Sequence, residues 1–183
     1  MSSRAGRLLP IAALAWLLWS TLAASPVRAE EGRWGFGSNL GFTSGTVDGT
    51  VFTLGFNLDY YLDRNFSFGG MMLLSPAGDL FQVAFAGVAK YHIRLNNGIN
   101  IVPFTGIGLI HADLNRGTGP GSVDANDTSW YLPIGLSLEY QVLHNIAVSS
   151  TLIVNLHDIN LQPSIPQKDT TSVALLFGVS FGP

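Results

Sequence analysis

Residues 130–140 read WYLPIGLSLEY, with large apolar side chains at every even-numbered position from Trp130 to Tyr140. Gly135, Ser137 and Glu139 lie between them. Because successive side chains of a strand point to opposite faces, this period of two predicts a β-strand with one apolar face and one small or polar face. A tilted strand needs roughly 9–11 residues to cross a bilayer, about twice the usual length of a globular strand. The length of this segment therefore indicates a membrane-spanning strand.

The same alternation recurs along the whole chain after residue 33. Its eight sets of apolar residues are Trp34–Phe42, Phe52–Tyr60, Phe66–Leu74, Phe81–Ile93, Ile99–Ala112, Trp130–Tyr140, Ile146–Leu156 and Val173–Phe181. In the fifth set both parities are apolar, so the sequence leaves the faces of that strand unassigned. The predicted fold is all-β: an eight-stranded antiparallel transmembrane β-barrel with an up-and-down meander.

The segments between these sets alternate in length, as the turns and loops of a membrane barrel do. Asp63–Asn65, Asn96–Gly98 and Leu143–Asn145 are predicted to be tight turns, and the Asn-Gly pair of the second favours a type I′ hairpin. Longer connections are predicted at Thr43–Thr50, Ser75–Leu80, Asp113–Thr128 and Asp158–Asp169. The short turns would face the periplasm and the long loops the exterior. Aromatic residues near the predicted strand ends indicate interfacial girdles: Trp34, Tyr60, Tyr61, Phe66, Tyr91, Trp130, Tyr131, Tyr140 and Phe181.

The composition excludes several other classes of protein. The 183 residues are 47% hydrophobic and 11% charged, whereas soluble domains carry about 25% charged residues. The chain is too apolar to be disordered, and without cysteine it forms neither a disulfide scaffold nor a thiolate zinc site. A formal charge of −3 disfavours nucleic-acid binding. A soluble lipocalin-like barrel would need outward polar and inward apolar faces, the reverse of the assignment above, and the low charged content argues against a soluble barrel.

Residues 1–29 have the pattern of a cleaved secretory signal peptide. Arg4 and Arg7 precede an apolar stretch from Leu8 to Leu22, and Val27-Arg-Ala29 forms a small-residue cleavage site. The alternative is an uncleaved membrane anchor. The barrel domain is then residues 30–183. Because residues 1–29 hold three of the nine basic residues and none of the twelve acidic ones, the net charge of that domain is −6.

In a membrane the sheet has to close into a barrel, and the charged side chains of its strands have to point into the interior. Unpaired backbone groups cost several kcal/mol each in hydrocarbon, so open sheet edges do not persist there. Eight strands enclose a space about wide enough for side chains to fill. The residues predicted to form this polar lumen network are Asp59, Lys90, Arg94, Glu139, His92 and His157. Two acids and two bases in so narrow a space are expected to pair, either as a fixed polar core or as a switchable pair that gates a thin ion path.

Three segments resemble the small eight-stranded outer-membrane β-barrels of Gram-negative bacteria, namely OmpX, OmpW and the transmembrane domain of OmpA. They are Tyr60-Tyr-Leu-Asp-Arg-Asn-Phe66, Ile101-Val-Pro-Phe-Thr-Gly-Ile-Gly108 and Phe177-Gly-Val-Ser-Phe181. The last resembles the aromatic-ended strand that the barrel assembly machinery recognises, although Gly182-Pro183 follow it here. The resemblance implies a monomeric, multi-pass protein of the outer membrane. Its partners would be membrane lipid, lipopolysaccharide and the assembly machinery, with no cofactor.

Enzymes also occur on this architecture, and the outer-membrane lipid A deacylases resemble this chain in size and strand count. Their His-x-Ser signature would align with His157-Asp-Ile159, where the serine is absent. His92, His111 and His144 occur singly, without metal-ligand spacing, and Asp124–Asp127 lacks the rest of a calcium motif. The sequence therefore favours a non-enzymatic barrel with a polar-plugged lumen and a structural or surface-interaction role through its loops. The alternative is a narrow channel like OmpW, for small or apolar solutes.

Overall fold

The computed structural model describes residues 33–46, 48–116, 123–159 and 169–182. These residues form eight long strands. Their bounds are β1 Arg33–Thr46, β2 Gly49–Tyr61, β3 Phe66–Ala77, β4 Leu80–Tyr91, β5 Ile99–Arg116, β6 Val123–Leu143, β7 Ile146–Ile159 and β8 Asp169–Phe181. A two-residue extension of β4, Ile93–Arg94, pairs with the start of β5. The signal-peptide prediction for residues 1–29 lies outside the described residues.

The strands form a closed antiparallel meander. Each pairs with the next in sequence, and β1 closes the barrel by pairing with β8 from Phe36 opposite Phe181 to Ser44 opposite Val173. Closure gives every long strand a partner on both sides, which is the condition for a sheet in hydrocarbon. The predicted fold class is confirmed. Among the described residues, no helix is long and apolar enough to cross a membrane.

The predicted faces hold along the strands, and the fifth strand now has its faces assigned. The large apolar residues at alternate positions point outward, and Leu136 is a typical example at 44% exposed. In β5 the even-numbered residues Val102, Phe104 and Ile110 are buried inside the barrel, whereas Ile107 is 72% exposed on the outside. Both faces of this strand are apolar because part of the interior is apolar too. Periodicity alone could not show which of the two apolar faces contacts lipid and which faces the apolar interior.

The three predicted tight turns lie together at one end of the barrel, here called the short-turn end. They occupy residues 62–65, 95–98 and 144–145, between β2 and β3, β4 and β5, and β6 and β7. In the second, Asn97 has φ 73° and Gly98 has φ 75°, the two positive values that a type I′ turn requires. The opposite end is called the loop end.

Two of the four connections predicted to be long are short. The strands β1 and β2 continue to Thr46 and from Gly49, where Thr46 Oγ1 donates a hydrogen bond to the Gly49 carbonyl oxygen at 3.0 Å. The strands β3 and β4 are separated only by Gly78 and Asp79. The predicted bounds Thr43–Thr50 and Ser75–Leu80 were wrong because Thr43, Thr46 and Ser75 occupy inward strand positions, where small polar residues fit. In the other two connections the flanking strands leave only residues 117–122 and 160–168, which lie outside the described residues.

An apolar band surrounds the barrel and has aromatic residues at its margins. At the short-turn end Trp34 and Tyr60 stack edge to face at 5.1 Å between ring centroids, and Phe68 lies 5.6 Å from Tyr60. Towards the loop end the Phe42 and Phe52 rings are 6.1 Å apart. Two residues predicted for the girdles belong to the interior instead: Tyr61 lines an inner cavity and Tyr131 is fully buried. Their neighbours Tyr60 and Trp130 take the outward positions, because adjacent residues of a strand point to opposite faces.

Candidate functional site

The barrel interior begins, at the short-turn end, with a buried ion pair. Lys90 on β4 places its Nζ 2.7 Å from Oδ2 of Asp59 on β2, and their side chains are only 11% and 10% exposed. The Lys90 ammonium also lies 5.9 Å from the centroid of the Phe104 ring. A charge this deep is costly without a counter-ion, so the two side chains hold each other in the lumen.

Glu139 on β6 lies in the same layer. It lines, together with Asp59, Lys90 and Tyr61, a cavity of about 40 Å³. The Asn100 side chain donates a hydrogen bond to its carboxylate. Asp59 Oδ1 is buried and has no hydrogen-bond partner among the described residues. The cavity is large enough for a few water molecules, which could solvate this oxygen.

His92 and Arg94 lie below this layer, at the mouth of the short-turn end. His92 is buried, its Nε2 is 2.9 Å from Ser67 Oγ, and its ring centroid is 5.1 Å from that of Tyr61. The Asn65 side chain donates a hydrogen bond to the His92 carbonyl oxygen at 3.1 Å, which ties the first turn to β4. Arg94 is exposed and lines a second cavity of about 40 Å³ that also borders Glu139.

His157 does not belong to this group. It is buried at 2% exposure on β7, eight residues beyond Ser149, the register partner of Glu139. At about 3.3 Å per residue this is roughly 26 Å along the strand. Of the six residues predicted to form one network, the structure brings five together at the short-turn end and places His157 towards the loop end.

An apolar layer separates the charged layer from the rest of the interior. Its members come from the four strands β3, β5, β7 and β8 and line the inner side of the charged cavity: Met71, Leu73, Val102, Phe104, Ile153 and Leu176. Sequence reasoning missed this layer, because it took inward positions to be polar.

A belt of hydroxyl and amide groups follows the apolar layer. Thr53 Oγ1 lies 2.7 Å from Thr43 Oγ1 and 2.9 Å from Ser75 Oγ, which links β1, β2 and β3. On the other wall the Tyr131 hydroxyl donates to Asn155 Oδ1 at 2.7 Å, and Asn155 Nδ2 donates to Ser172 Oγ at 3.2 Å. The enclosed cavity here is only about 20 Å³. The alternation predicted that these side chains point inward, but their pairing depends on register between strands.

An apolar cap closes the interior at the loop end. Leu80 is 1% exposed, and Leu114 and Ile159 are completely buried, as is Ala112. Leu80 and Leu114 are register partners on β4 and β5. The cap therefore keeps water out of the lumen at this end, whereas the short-turn end is polar. Among the described residues, no group of three His, Cys, Asp or Glu side chains could hold a metal ion.

Among known proteins, solved structures with a similar fold match this chain. No family model matches the chain, and no curated protein matches it. The crystal structure of Neisserial surface protein A (NspA) matches with a TM-score of 0.63 at 16% identity, over 82% of this chain and 96% of that one. The chain has the fold of the small eight-stranded outer-membrane β-barrels. The prediction made from the three quoted segments is thus confirmed for the fold.

Two further barrels show the same likeness. The N-terminal β-barrel domain of Pseudomonas aeruginosa OprF has a TM-score of 0.53 at 14% identity, over 82% of this chain and 98% of that domain. Ail, the attachment invasion locus protein of Yersinia pestis, has a TM-score of 0.54 at 11% identity in its complex with the heparin analogue sucrose octasulfate, over 83% and 99%. At these identities the likeness extends to the fold alone.

Proposed function

We propose that this protein is a non-enzymatic barrel of the outer membrane, closed to solutes, which acts structurally and through contacts at its loop end. The observation that carries the proposal is the layered interior. The apolar layer around Leu73 and Phe104 and the cap around Leu80 and Leu114 leave only small cavities between them. In a barrel filled in this way, only the outer surface and the two ends can contact other molecules.

The orientation follows from the two ends. Short turns and chain termini lie at the periplasmic side of bacterial barrels, and longer loops lie outside. Here β1 begins and β8 ends at the short-turn end, so this end is assigned to the periplasm. Residues 117–122 and 160–168 then lie on the cell surface. The barrel would enter the membrane through the assembly machinery, by its strand β8, and remain a monomer surrounded by lipid and lipopolysaccharide.

The charge of the loop end indicates the chemistry of a surface partner. Acids outnumber bases in the strand ends and connections there: Asp48, Asp79, Asp113, Asp124, Asp127, Asp158 and Asp169 against Arg116 and Lys168. Like charges across an interface oppose binding. We therefore expect no binding of a sulfated polyanion like the heparin analogue bound to Ail, and propose a neutral or cationic partner.

His157, the residue that aligns with the catalytic histidine of the lipid A deacylases, does not support a catalytic role. His157 is buried in the interior and cannot reach a lipid substrate in the surrounding membrane. The narrow-channel alternative has one observation in its favour: the two periplasm-facing cavities share the residues Tyr61, Glu139 and Ser180 as a common border. A rearrangement there would only join the two cavities, because the apolar layer lies beyond.

Epitope tags on intact cells test the proposal. A tag inserted within residues 117–122 should be labelled by antibody without permeabilisation, and the same tag at Asn97–Gly98 should be labelled only after it. Both proteins should appear in the outer-membrane fraction. Recovery in the soluble periplasmic fraction, or the reverse labelling pattern, would contradict the proposal.

A further inference from the structure

Two glycines on the lipid-facing side of the barrel have no steric reason within the chain to lack a side chain. Gly70 on β3 and Gly87 on β4 are register partners and are exposed. A Cβ at Gly70 would meet nothing within 4 Å, and one at Gly87 would only touch the Ile107 carbonyl oxygen at 3.9 Å. Neither has a positive φ. Nearby Gly69 and Gly108 differ, because a Cβ there would collide with the backbone of the adjacent strand.

Glycine inside a strand has an entropic cost and lacks a side chain to pack, so it often marks a place where an external group approaches the backbone closely. Gly70 and Gly87 form the floor of an apolar groove of about 560 Å³ on the outer wall. The large side chains around the floor belong to strands β1 to β5, and include Phe36, Phe56, Leu58, Met72, Phe85 and Leu109. The groove therefore lies within the apolar band, where its surroundings are hydrocarbon.

The position of the groove along the membrane normal fits one acyl chain of the periplasmic leaflet. Gly70 is six residues along the chain from Arg64, which is exposed in the first turn. Only the four steps from Phe66 to Gly70 lie in β3. At about 3.3 Å per residue and a strand tilt near 40°, they span roughly 10 Å along the membrane normal, and the turn with the Arg64 side chain lies beyond. Half of a hydrocarbon core of about 30 Å is roughly 15 Å, so the Arg64 side chain in the turn lies near the edge of the core. A lipid whose chain fills the groove would thus have its headgroup at the level of the Arg64 guanidinium.

Charge complementarity at that level selects the headgroup. The neighbouring carboxylate of Asp63 is engaged in the turn, where it accepts hydrogen bonds from the backbone amides of Asn65 and Phe66 at 2.7 Å each. The Arg64 guanidinium matches a phosphate oxygen in charge and geometry. A second copy of the chain is a poorer occupant, because a two-fold interface would set the concave groove against itself.

We propose that the groove over Gly70 and Gly87 binds one acyl chain of an anionic glycerophospholipid whose phosphate contacts Arg64. The proposal rests on the membrane location proposed above. Flexible acyl chains gain dispersion contacts in a concave apolar surface, and glycine at both positions gives the chain room to reach the backbone.

Native mass spectrometry tests this site directly. The full-length protein is refolded into vesicles of equal parts phosphatidylglycerol and phosphatidylcholine and released in mild detergent. The wild type should retain one phosphatidylglycerol. The double variant Gly70→Leu and Gly87→Leu, whose Cβ atoms have room at both positions, fills the groove and should lose the lipid several-fold. The control Ser150→Leu on the opposite wall should retain it. Arg64→Gln should retain lipid without preference for the anionic headgroup.

Flotation of each variant with the vesicles separates this proposal from that of membrane insertion. A wild type that does not float with the vesicles would overturn the membrane proposal itself. Floating protein that retains no lipid, or a double variant that retains as much as the wild type, would overturn the lipid site alone. Dimers that the double variant abolishes would also overturn it, because a second copy would then occupy the groove.

Discussion

At the scale of single residues, we expect the interior charges to contribute unequally to the free energy of unfolding. Lys90 pairs with Asp59 and lines the same cavity as Glu139. Removing Lys90 leaves two acids in this cavity without their base, whereas removing Asp59 leaves Lys90 with Glu139. Breaking a buried pair costs about 3–5 kcal/mol, less where water enters. Lys90→Met should therefore lower the free energy of unfolding more than Asp59→Asn, as measured by urea titration in lipid vesicles. The double variant should cost less than the two single changes added together. Strictly additive losses would mean that the pair contributes nothing.

Glu139 tests the same layer from the other side. Glu139→Ala removes one of two acids around Lys90 and the acceptor of the Asn100 hydrogen bond. We expect a smaller loss of stability than for Lys90→Met, because Asp59 still neutralises the lysine. Glu139→Gln, which keeps an acceptor for Asn100, should retain more of the stability than Glu139→Ala. A Glu139→Ala protein less stable than Lys90→Met would show that Glu139, and not Asp59, is the main partner of Lys90.

The lipid face can be probed at Leu136, near the middle of β6. Leu136→Arg should destabilise the folded barrel by about 2–4 kcal/mol, because arginine at the bilayer midplane is costly. Tyr140→Arg, on the same face of the same strand but at the short-turn end, should cost roughly 0–1 kcal/mol. Equal effects at the two positions, measured by urea titration in vesicles, would mean that the band is not a membrane-facing surface.

At the scale of elements, the second tight turn is the most sensitive connection. Asn97 and Gly98 both have positive φ, which asparagine and glycine tolerate and branched residues do not. Gly98→Val should cost about 1–3 kcal/mol in stability. The control is Gly70→Val, where φ is ordinary and a Cβ meets nothing. If both changes have the same small effect, the turn does not contribute as the type I′ geometry requires.

The alternation predicted strands, turns and outward faces because these depend on local spacing and on the exclusion of charge from lipid. It predicted that Asp59, Lys90 and Glu139 face inward for the same reason. It could not predict that Lys90 pairs with Asp59, because that choice depends on the stagger between non-adjacent strands β2 and β4. The apolar layer around Phe104 was missed because Val and Phe occur at both inward and outward positions. The pairing within the hydroxyl belt could not be predicted because it depends on the register between strands.

At the scale of the whole molecule, the interior is a stack of unlike layers rather than a uniform polar plug. The charged layer is at the short-turn end, and the apolar layer, the hydroxyl belt and the apolar cap follow towards the loop end. A polar layer can replace part of the water around a hydrated ion, whereas an apolar layer cannot and so imposes a large desolvation barrier. In the proposed closed barrel, we therefore expect the layers around Leu73, Phe104 and Leu114 to block ions and the ion pair to contribute mainly to stability.

Single-channel conductance of the refolded protein in a planar bilayer tests this closed interior most directly. The wild type should show no steady current, and Lys90→Met should show none either, since the apolar layers remain. Combined Leu73→Ala, Phe104→Ala and Leu114→Ala substitutions, which thin both apolar layers, should produce a current. Porin-sized conductance in the wild type, or a current opened by Lys90→Met alone, would contradict the closed-barrel account.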